Sequence, residues 1–481
     1  MNKNFLKHFA IIGSGTIMNM LLGLINAPII TRIVAPEEYG QLSIFNMYAN
    51  ILVMVLCLGL DQALVRYYYE QDTKEYRRSL LFRCIKLPVI ISTAVSVLAV
   101  AGSCAGVFAF EFDTTILIFL CMFVITQIIY RFSVLVVRLE YQSKIYSMAN
   151  VLNKVVYMLI AIPAVLLIRG HYLLLLVIAT VGAEVFCMCY TIAVQAKMWN
   201  FFRQDPAVCS VRQEELLKYA YPYIFSMGIT TLFQAIDKMS LNLHCTYAEV
   251  GIYSSAMTLV NLFALVQKTF NTLWAPMAVE HYSKYPEDTS FHQKGNQMIT
   301  VVMFFIGISL ILVKDLFAYL LGSQYRIAAY IFPFLIFNPI MYTISETTVG
   351  GLIFKKKSKL QVVVALGACV TNIIGNAILV PRLGGQGAAI STGISYIVFF
   401  SLRTYLANQY YYVDFKLKKF YLLTVIVAAY AWYNTFITFN IGSVIGYLIC
   451  LLALVLLYRE HVRWGIEYLW KAGSHMISGR K

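Results

Sequence analysis

Residues 172–195 read YLLLLVIATVGAEVFCMCYTIAVQ, twenty-four positions with one charged side chain, Glu184, near their middle. A helix that is apolar on every face is either the core of a large protein or a membrane span, and about 20 such residues cross a bilayer. The rest of the chain decides between the two. Of 481 residues, 60% are hydrophobic and 13% charged, with a mean hydropathy of +0.71. Soluble domains carry roughly 25% charged residues, so an ordinary soluble enzyme is excluded.

A window of about 19 residues marks fourteen such spans. Six lie near 8–33, 41–67, 80–107, 114–136, 148–168 and 172–195, and six more near 217–242, 251–275, 297–320, 328–352, 360–381 and 386–408. The last two lie near 420–437 and 440–458. The first and seventh are amphipathic, because they contain Asn19, Asn26, Asp237 and Lys238. Helices of that kind line a polar interior more often than they face lipid. Although Lys3, Lys7 and the apolar run after them resemble a signal peptide, no small-x-small cleavage site follows, and the run reads as the first span.

Of the 38 Lys and Arg residues, 30 fall in alternate segments beginning with the N-terminus, while only Arg169, Arg326 and Arg382 fall in the intervening loops. The positive-inside rule therefore puts both termini in the cytoplasm. The net charge of +15 is then loop excess rather than a nucleic-acid surface. The longest gap is 196–216 and the outside loops are shorter than ten residues, which leaves no room for a soluble catalytic module. Ten cysteines without a CxxC pair read as packing residues. Gly102-Ser103-Cys104-Ala105-Gly106 lies in an apolar span with no histidine near it and reads as small-residue helix packing. His281 and His292 lack an acidic pattern suited to a metal, so neither a catalytic residue nor a metal site is expected. From Arg459 to Lys481, Val462, Ile466 and Leu469 alternate with Trp464, Trp470 and five cations. That pattern suits an interfacial helix on anionic lipids.

Offset by 211 residues, the chain partly repeats itself: Leu6, Lys7, Leu21, Ile25, Glu38, Gly40, Ser43 and Asn50 recur as Leu217, Lys218, Leu232, Ile236, Glu249, Gly251, Ser254 and Asn261. Six spans separate the copies, so both have the same orientation. The fold expected is an all-α polytopic membrane protein of about fourteen transmembrane helices. It has an N-terminal six-helix lobe (1–195), a cytoplasmic linker (196–216) and a second six-helix lobe (217–412) related by a pseudo-two-fold axis. A terminal helix pair (413–458) and a basic amphipathic tail (459–481) complete it. At the same offset Asn26 matches Asp237, one polar side chain per half at equal depth.

A charge at the bilayer centre costs about 2.5–3.5 kcal/mol on insertion scales, so the five cations left within spans need a reason. They are Arg32, Lys154, Lys238, Lys268 and Lys314. Lys314, beside Asp315 near an outer boundary, is expected to snorkel. The other four suit an anionic substrate such as a diphosphate. Asp61 and Arg66, near the inner end of the second span, are open to two roles: pairing with each other or the backbone, or transport. Glu184 and Glu346 are candidates for coupling or gating, since a desolvated carboxylate can exchange a proton.

Four motifs follow one another along the chain: Ala35-Pro36-Glu37-Glu38-Tyr39-Gly40; Gly59-Leu60-Asp61-Gln62-Ala63-Leu64-Val65-Arg66-Tyr67; Asp237-Lys238 with Glu249-Val250-Gly251-Ile252-Tyr253-Ser254; and Asn372 and Asn376 before Pro381-Arg382-Leu383-Gly384-Gly385-Gln386-Gly387. Their order and spacing resemble those of the polysaccharide repeat-unit flippases of the multidrug/oligosaccharidyl-lipid/polysaccharide (MOP) exporter superfamily. One departure is Lys238, where many relatives carry Arg; the charge is kept and bidentate geometry is lost. The resemblance implies a flippase in the bacterial cytoplasmic (inner) membrane that moves undecaprenyl-diphosphate-linked oligosaccharide outward by alternating access. It further implies a cationic cavity between the lobes and a lipid tail guided by the last two spans. Coupling to an H+ or Na+ gradient or to the membrane potential would supply energy, with no cofactor. Lipid-linked oligosaccharide, anionic lipids, a polysaccharide polymerase and chain-length proteins are the partners implied. The substrate-binding set is then Arg32, Lys154, Lys238, Lys268, Asn26 and Asp237, and the coupling or gating set Asp61, Arg66, Glu184 and Glu346. The alternatives are a cation-coupled multidrug exporter of the same superfamily, which would favour buried carboxylates, and a glycan polymerase or ligase, which would need a long outside loop. Asn372 and Asn376, four apart on one helix face, are expected to pack helices.

Overall fold

A backbone that crosses hydrocarbon must satisfy its own N–H and C=O groups, and among the described residues all regular structure is helical. In this computed structural model, residues 3–107, 110–168, 170–201, 211–357 and 359–463 are described; the side chains of 3–14, 16, 17, 20, 262, 264, 265 and 268 lie outside the description. The helices are α1 (Lys3–Ile33), α2 (Pro36–Leu56), α3 (Leu60–Tyr67), α4 (Lys74–Cys104), α5 (Thr114–Leu139) and α6 (Ser143–Leu167). Then come α7 (Tyr172–Val194), α8 (Ala196–Trp199), α9 (Gln213–His244), α10 (Tyr247–Lys284), α11 (Ser290–Leu312) and α12 (Lys314–Leu320). The series ends with α13 (Ala328–Leu335), α14 (Phe337–Thr348), α15 (Gly350–Phe354), α16 (Lys359–Asn408), α17 (Leu417–Phe436) and α18 (Ile441–Leu457).

All fourteen expected spans fall on helix, and five of them are interrupted or merged. The second breaks between α2 and α3, the ninth at Val313, and the tenth divides into α13, α14 and α15. Spans eleven and twelve join as α16, whose 50 residues would reach about 75 Å as one rod, over twice the bilayer core. The chain folds back instead. Gly384 takes φ 52° and ψ −131°, a conformation open to glycine, just after Pro381. Across the bend, Asn376 Nδ2 donates to Ser391 Oγ (3.3 Å) and Asn372 Nδ2 to Thr392 Oγ1 (3.5 Å), all four side chains being buried. Both asparagines pack helices, as the sequence leads one to expect.

Local signals set several helix starts. Pro36 opens α2 after the extended Ala35, with Glu37 and Glu38 in the first turn, where proline and carboxylates favour a helix N-terminus. Thr73 Oγ1 accepts from Tyr76 N ahead of α4, and Asn440 Oδ1 from Ser443 N ahead of α18.

Among the described residues, eight helices are long and apolar enough to cross a membrane. Large apolar side chains stand outward, for example Leu98, Leu159 and Leu167 at 71%, 67% and 82% exposure. Such a surface belongs in lipid rather than water, and the chain is a multi-pass membrane protein.

The chain divides into two compact units. The first runs to Asn242 and includes Thr246–Gly251; the second comprises Leu243–Cys245 and the chain from Ile252. In the first, α1 packs on α6, α6 on α7, and α5 on α4 and α7. In the second, α14 packs on α11 and α16, and α13 on α17. The lobes expected from sequence are defined by repetition and the units by contact, and the two divisions differ over α9.

Candidate functional site

Close backbone contacts join the start of α10 to α2 within the first unit. A Cβ added to Gly40 would overlap the Tyr247 carbonyl, and one on Gly251 would overlap the Pro36 carbonyl. The glycines of the two repeated Glu-x-Gly motifs therefore meet backbone to backbone, a distance that any side chain would prevent. Next to this crossing the carboxylate of Glu111 accepts three hydrogen bonds: from Tyr48 OH (2.6 Å), Asn242 Nδ2 (2.6 Å) and Tyr247 OH (2.7 Å). Burial raises the Glu111 pKa, but the three donors outweigh it and hold the carboxyl below its usual range. At the end of the unit that carries the basic connections, Tyr67 meets Tyr219 edge to face at 5.8 Å.

Four of the expected residues lie on α1, α6 and α7. Asn26 is buried and its Oδ1 has no hydrogen-bond partner among the described residues. Lys154, half-buried, lies against α1 at Gly23, where a Cβ would stand 4.0 Å from Lys154 Cε. Asn26 is one turn beyond Gly23 on the same helix. The Lys154 ammonium lies 5.3 Å from the Tyr157 ring centroid. Its sequence neighbour Asn153 donates Nδ2 to Glu184 Oε2 at 2.7 Å, and no cation stands within ion-pair distance of Glu184 among the described residues. Arg32 is exposed in the last turn of α1. On α9, Asp237 is buried and Lys238 half-buried. Lys154 and Lys238 belong to none of the ion pairs among the described residues. Lys268 belongs to α10, but its side chain lies outside the described residues, as do Arg169 and the tail from 464 onward.

The remaining acids are tied down. Buried Asp61 pairs with Arg131 of α5, whose Nη2 and Nε reach Oδ2 at 2.6 and 3.0 Å, and not with Arg66. Arg66 instead makes an exposed contact of 3.4 Å to Glu70. Glu346 accepts from Arg403 Nη1 at 2.7 Å, and the same nitrogen reaches Ser345 Oγ at 2.8 Å. The cytoplasmic segments in the Lys and Arg count include 131–147 and 403–419, and so take in Arg131 and Arg403; that is a mis-sorting, since both stand inside helices facing acids. Each lies several residues from its helix end, where a hydropathy window already fades. The signal available for both was a buried acid elsewhere in need of a partner. Lys314 is a further correction. It does not snorkel but is buried, 3.3 Å from Asp315 and 4.6 Å from the Tyr330 ring centroid, because α12 starts at it after the break at Val313. His281 Nε2 pairs with Asp288 Oδ2 at 2.9 Å, and no metal-binding group of three side chains occurs among the described residues.

A sequence profile described as "Polysaccharide biosynthesis protein" matches residues 5–282, more than half of the chain. The chain belongs to the polysaccharide biosynthesis protein family. No curated protein matches it. Among solved structures, this family member is similar to a lipid II flippase, MurJ, in an inward closed conformation. The TM-score is 0.68 at 15% identity, covering 95% of this chain and 99% of that one. An inward-facing multidrug resistance MATE family transporter of the MOP superfamily gives a TM-score of 0.61 at 12% identity, covering 81% and 94%. A MOP superfamily transporter from Pyrococcus furiosus gives 0.58 at 14%, covering 84% and 95%. At these identities the likeness is one of fold.

Proposed function

We propose that this protein is a flippase that carries a diphosphate-linked oligosaccharide lipid across the bacterial cytoplasmic membrane, by alternating access, for cell-surface polysaccharide synthesis. The observation that carries the reading is the contrast among intramembrane cations. Arg131 and Arg403 hold carboxylates, whereas Lys154 belongs to no ion pair among the described residues and Lys238 has the charge of its sequence neighbour Asp237 beside it but no ion pair within 4.0 Å. A charge in the membrane without a counter-charge is an expensive arrangement that marks a substrate path, and a diphosphate supplies the missing anion. Membership of a polysaccharide biosynthesis family supports the same substrate class. The distribution of Lys and Arg supports cytoplasmic termini.

In this scheme Lys154 and Lys238 hold the diphosphate, with Arg32 and Lys268 at other depths along the path and Asn26 and Asp237 as polar contacts to the glycan. Glu184, hydrogen-bonded but without a cation among the described residues, is the site of proton coupling; Asp61 and Glu346 are committed to arginines. Purified protein reconstituted in liposomes with a diphosphate-linked oligosaccharide lipid tests the reading. A membrane-impermeant glycosidase then reports which leaflet holds the glycan. Lys154→Ala and Lys238→Ala should each slow transfer about 10- to 100-fold, the size of one lost charged hydrogen bond of about 1.5–3 kcal/mol. Transfer at the unaltered rate by both, at equal protein incorporation, overturns the assignment.

A further inference from the structure

One stripe of α4 changes character along its length. Ser79, Arg83, Lys86, Leu87 and Ile90 recur at steps of one to four residues that keep them on one side of the helix. The first three are polar or cationic and the last two apolar. Beyond them Val97 and Leu98 are exposed apolar residues. This stripe, with Phe82 and with Gln213 at the start of α9, lines a cavity of about 610 Å³ in the first unit, within the roughly 300–1,000 Å³ typical of small-molecule sites.

The aromatic groups beside it mark its depth. Phe82 lies 5.1 Å from Phe201, and Phe201 lies 5.6 Å from Trp199 at the end of α8. Tryptophan concentrates where bilayer meets water, so Arg83 and Lys86 stand at headgroup level with Leu87 and Ile90 on the hydrocarbon side.

Of the polar groups of the cavity, Lys86 and Gln213 are the ones that no ion pair or hydrogen bond takes up among the described residues. Arg83 is anchored by donating Nη1 to the Val211 carbonyl at 2.5 Å. Exposed Lys86 belongs to no ion pair among the described residues, its ammonium lying 5.8 Å from the Phe82 ring centroid. Gln213 Nε2 is a buried donor with no acceptor among the described residues, a state that costs free energy unless something fills it. Two cations and an unfilled amide donor at headgroup depth, continuous with an apolar lipid-facing strip, match a molecule with one phosphodiester and an acyl chain. Inorganic phosphate would leave the apolar half of the cavity empty.

We propose that this cavity binds an anionic membrane phospholipid, with its phosphodiester at Arg83, Lys86 and Gln213 and an acyl chain along Leu87 and Ile90. The proposal is independent of the flippase reading and stands if that reading fails. The test uses the purified full-length protein in detergent, titrated with phosphatidylglycerol, with phosphatidylcholine of the same acyl chains, and with inorganic phosphate. Native mass spectrometry reads retained lipid, and thermal unfolding reads protection. Phosphatidylglycerol should be retained at least about fivefold better than phosphatidylcholine, and Lys86→Gln should lose about fivefold of that affinity, one basic residue near a membrane surface being worth about that much. Leu87→Asn, which leaves both cations, should weaken both lipids alike. Equal retention of the two lipids, or unchanged phosphatidylglycerol binding in a folded Lys86→Gln, overturns the proposal. Protection by inorganic phosphate equal to that by phosphatidylglycerol overturns it too and makes the cavity a site for free anions.

Discussion

Replacing Glu346 by Gln should destabilise the protein more than replacing Asp61 by Asn, although the two ion pairs are nearly the same length. At an effective dielectric of about 20, contacts of 2.7 and 2.6 Å give about 6 kcal/mol of Coulomb attraction each, so distance does not separate them. Burial does. The Arg403 and Glu346 side chains are 7% and 15% exposed, whereas Arg131 is 36% exposed opposite an Asp61 at 5%. Removing one partner of a buried pair costs about 3–5 kcal/mol, because the other charge is left without solvent. An Arg that water or headgroups can reach pays far less, toward the ~1 kcal/mol of exposed pairs. Glu346→Gln should therefore cost about 3 kcal/mol and Asp61→Asn about 1–2 kcal/mol. Denaturant titration in mixed micelles, read by tryptophan fluorescence, measures both. In the double variant Glu346→Gln with Arg403→Gln, part of the loss should return, leaving a coupling energy of about 2 kcal/mol. Asp61→Asn costing as much as Glu346→Gln, or strict additivity of the Glu346 and Arg403 substitutions, would refute the argument that burial sets these pairs.

Gly40→Ala places a methyl group on the Tyr247 carbonyl and should destabilise by about 1–3 kcal/mol; Gly228→Ala, where nothing stands within 4 Å, should be neutral or stabilise by about 0.5–1 kcal/mol. Thermal unfolding of the two variants side by side separates these outcomes. Because the Glu111 pKa is depressed in the folded protein, its contribution is present above the ordinary glutamate pKa of about 4.3 and is lost as pH falls through the lower folded value. Glu111→Gln should remove that acid-side loss, as read from thermal unfolding of the otherwise unaltered protein and of the variant across pH 3–7. Glu184→Gln should abolish proton-dependent transfer in liposomes while leaving Asn153 a partner; transfer that still responds to a pH gradient would exclude Glu184 as the coupling site.

The helices are legible wherever hydropathy runs unbroken, as at 172–195, because hydrocarbon leaves such a segment one way to satisfy its backbone. Interruptions are harder to read. Val313 ends an apolar run and is followed by Lys314 and Asp315, but only packing shows that a new helix starts at Lys314 and draws that lysine inward. The bend at Gly384 was legible from Pro381 and the glycines after it. The matched Gly40 and Gly251 were visible as a repeat, but a repeat does not say that its two copies touch. For charges, depth along the sequence placed Lys154 within a helix, as it is in α6, but mis-sorted Arg131 and Arg403, whose pairing depends on Asp61 and Glu346, distant in sequence.

The central claim, outward transfer of a lipid-linked oligosaccharide, is tested most directly in cells depleted of the protein. The leaflet in which the lipid-linked intermediate collects is read by a membrane-impermeant glycan label applied before and after permeabilisation. Accumulation accessible only after permeabilisation is the predicted result. Intermediates unchanged in amount and sidedness would contradict the account.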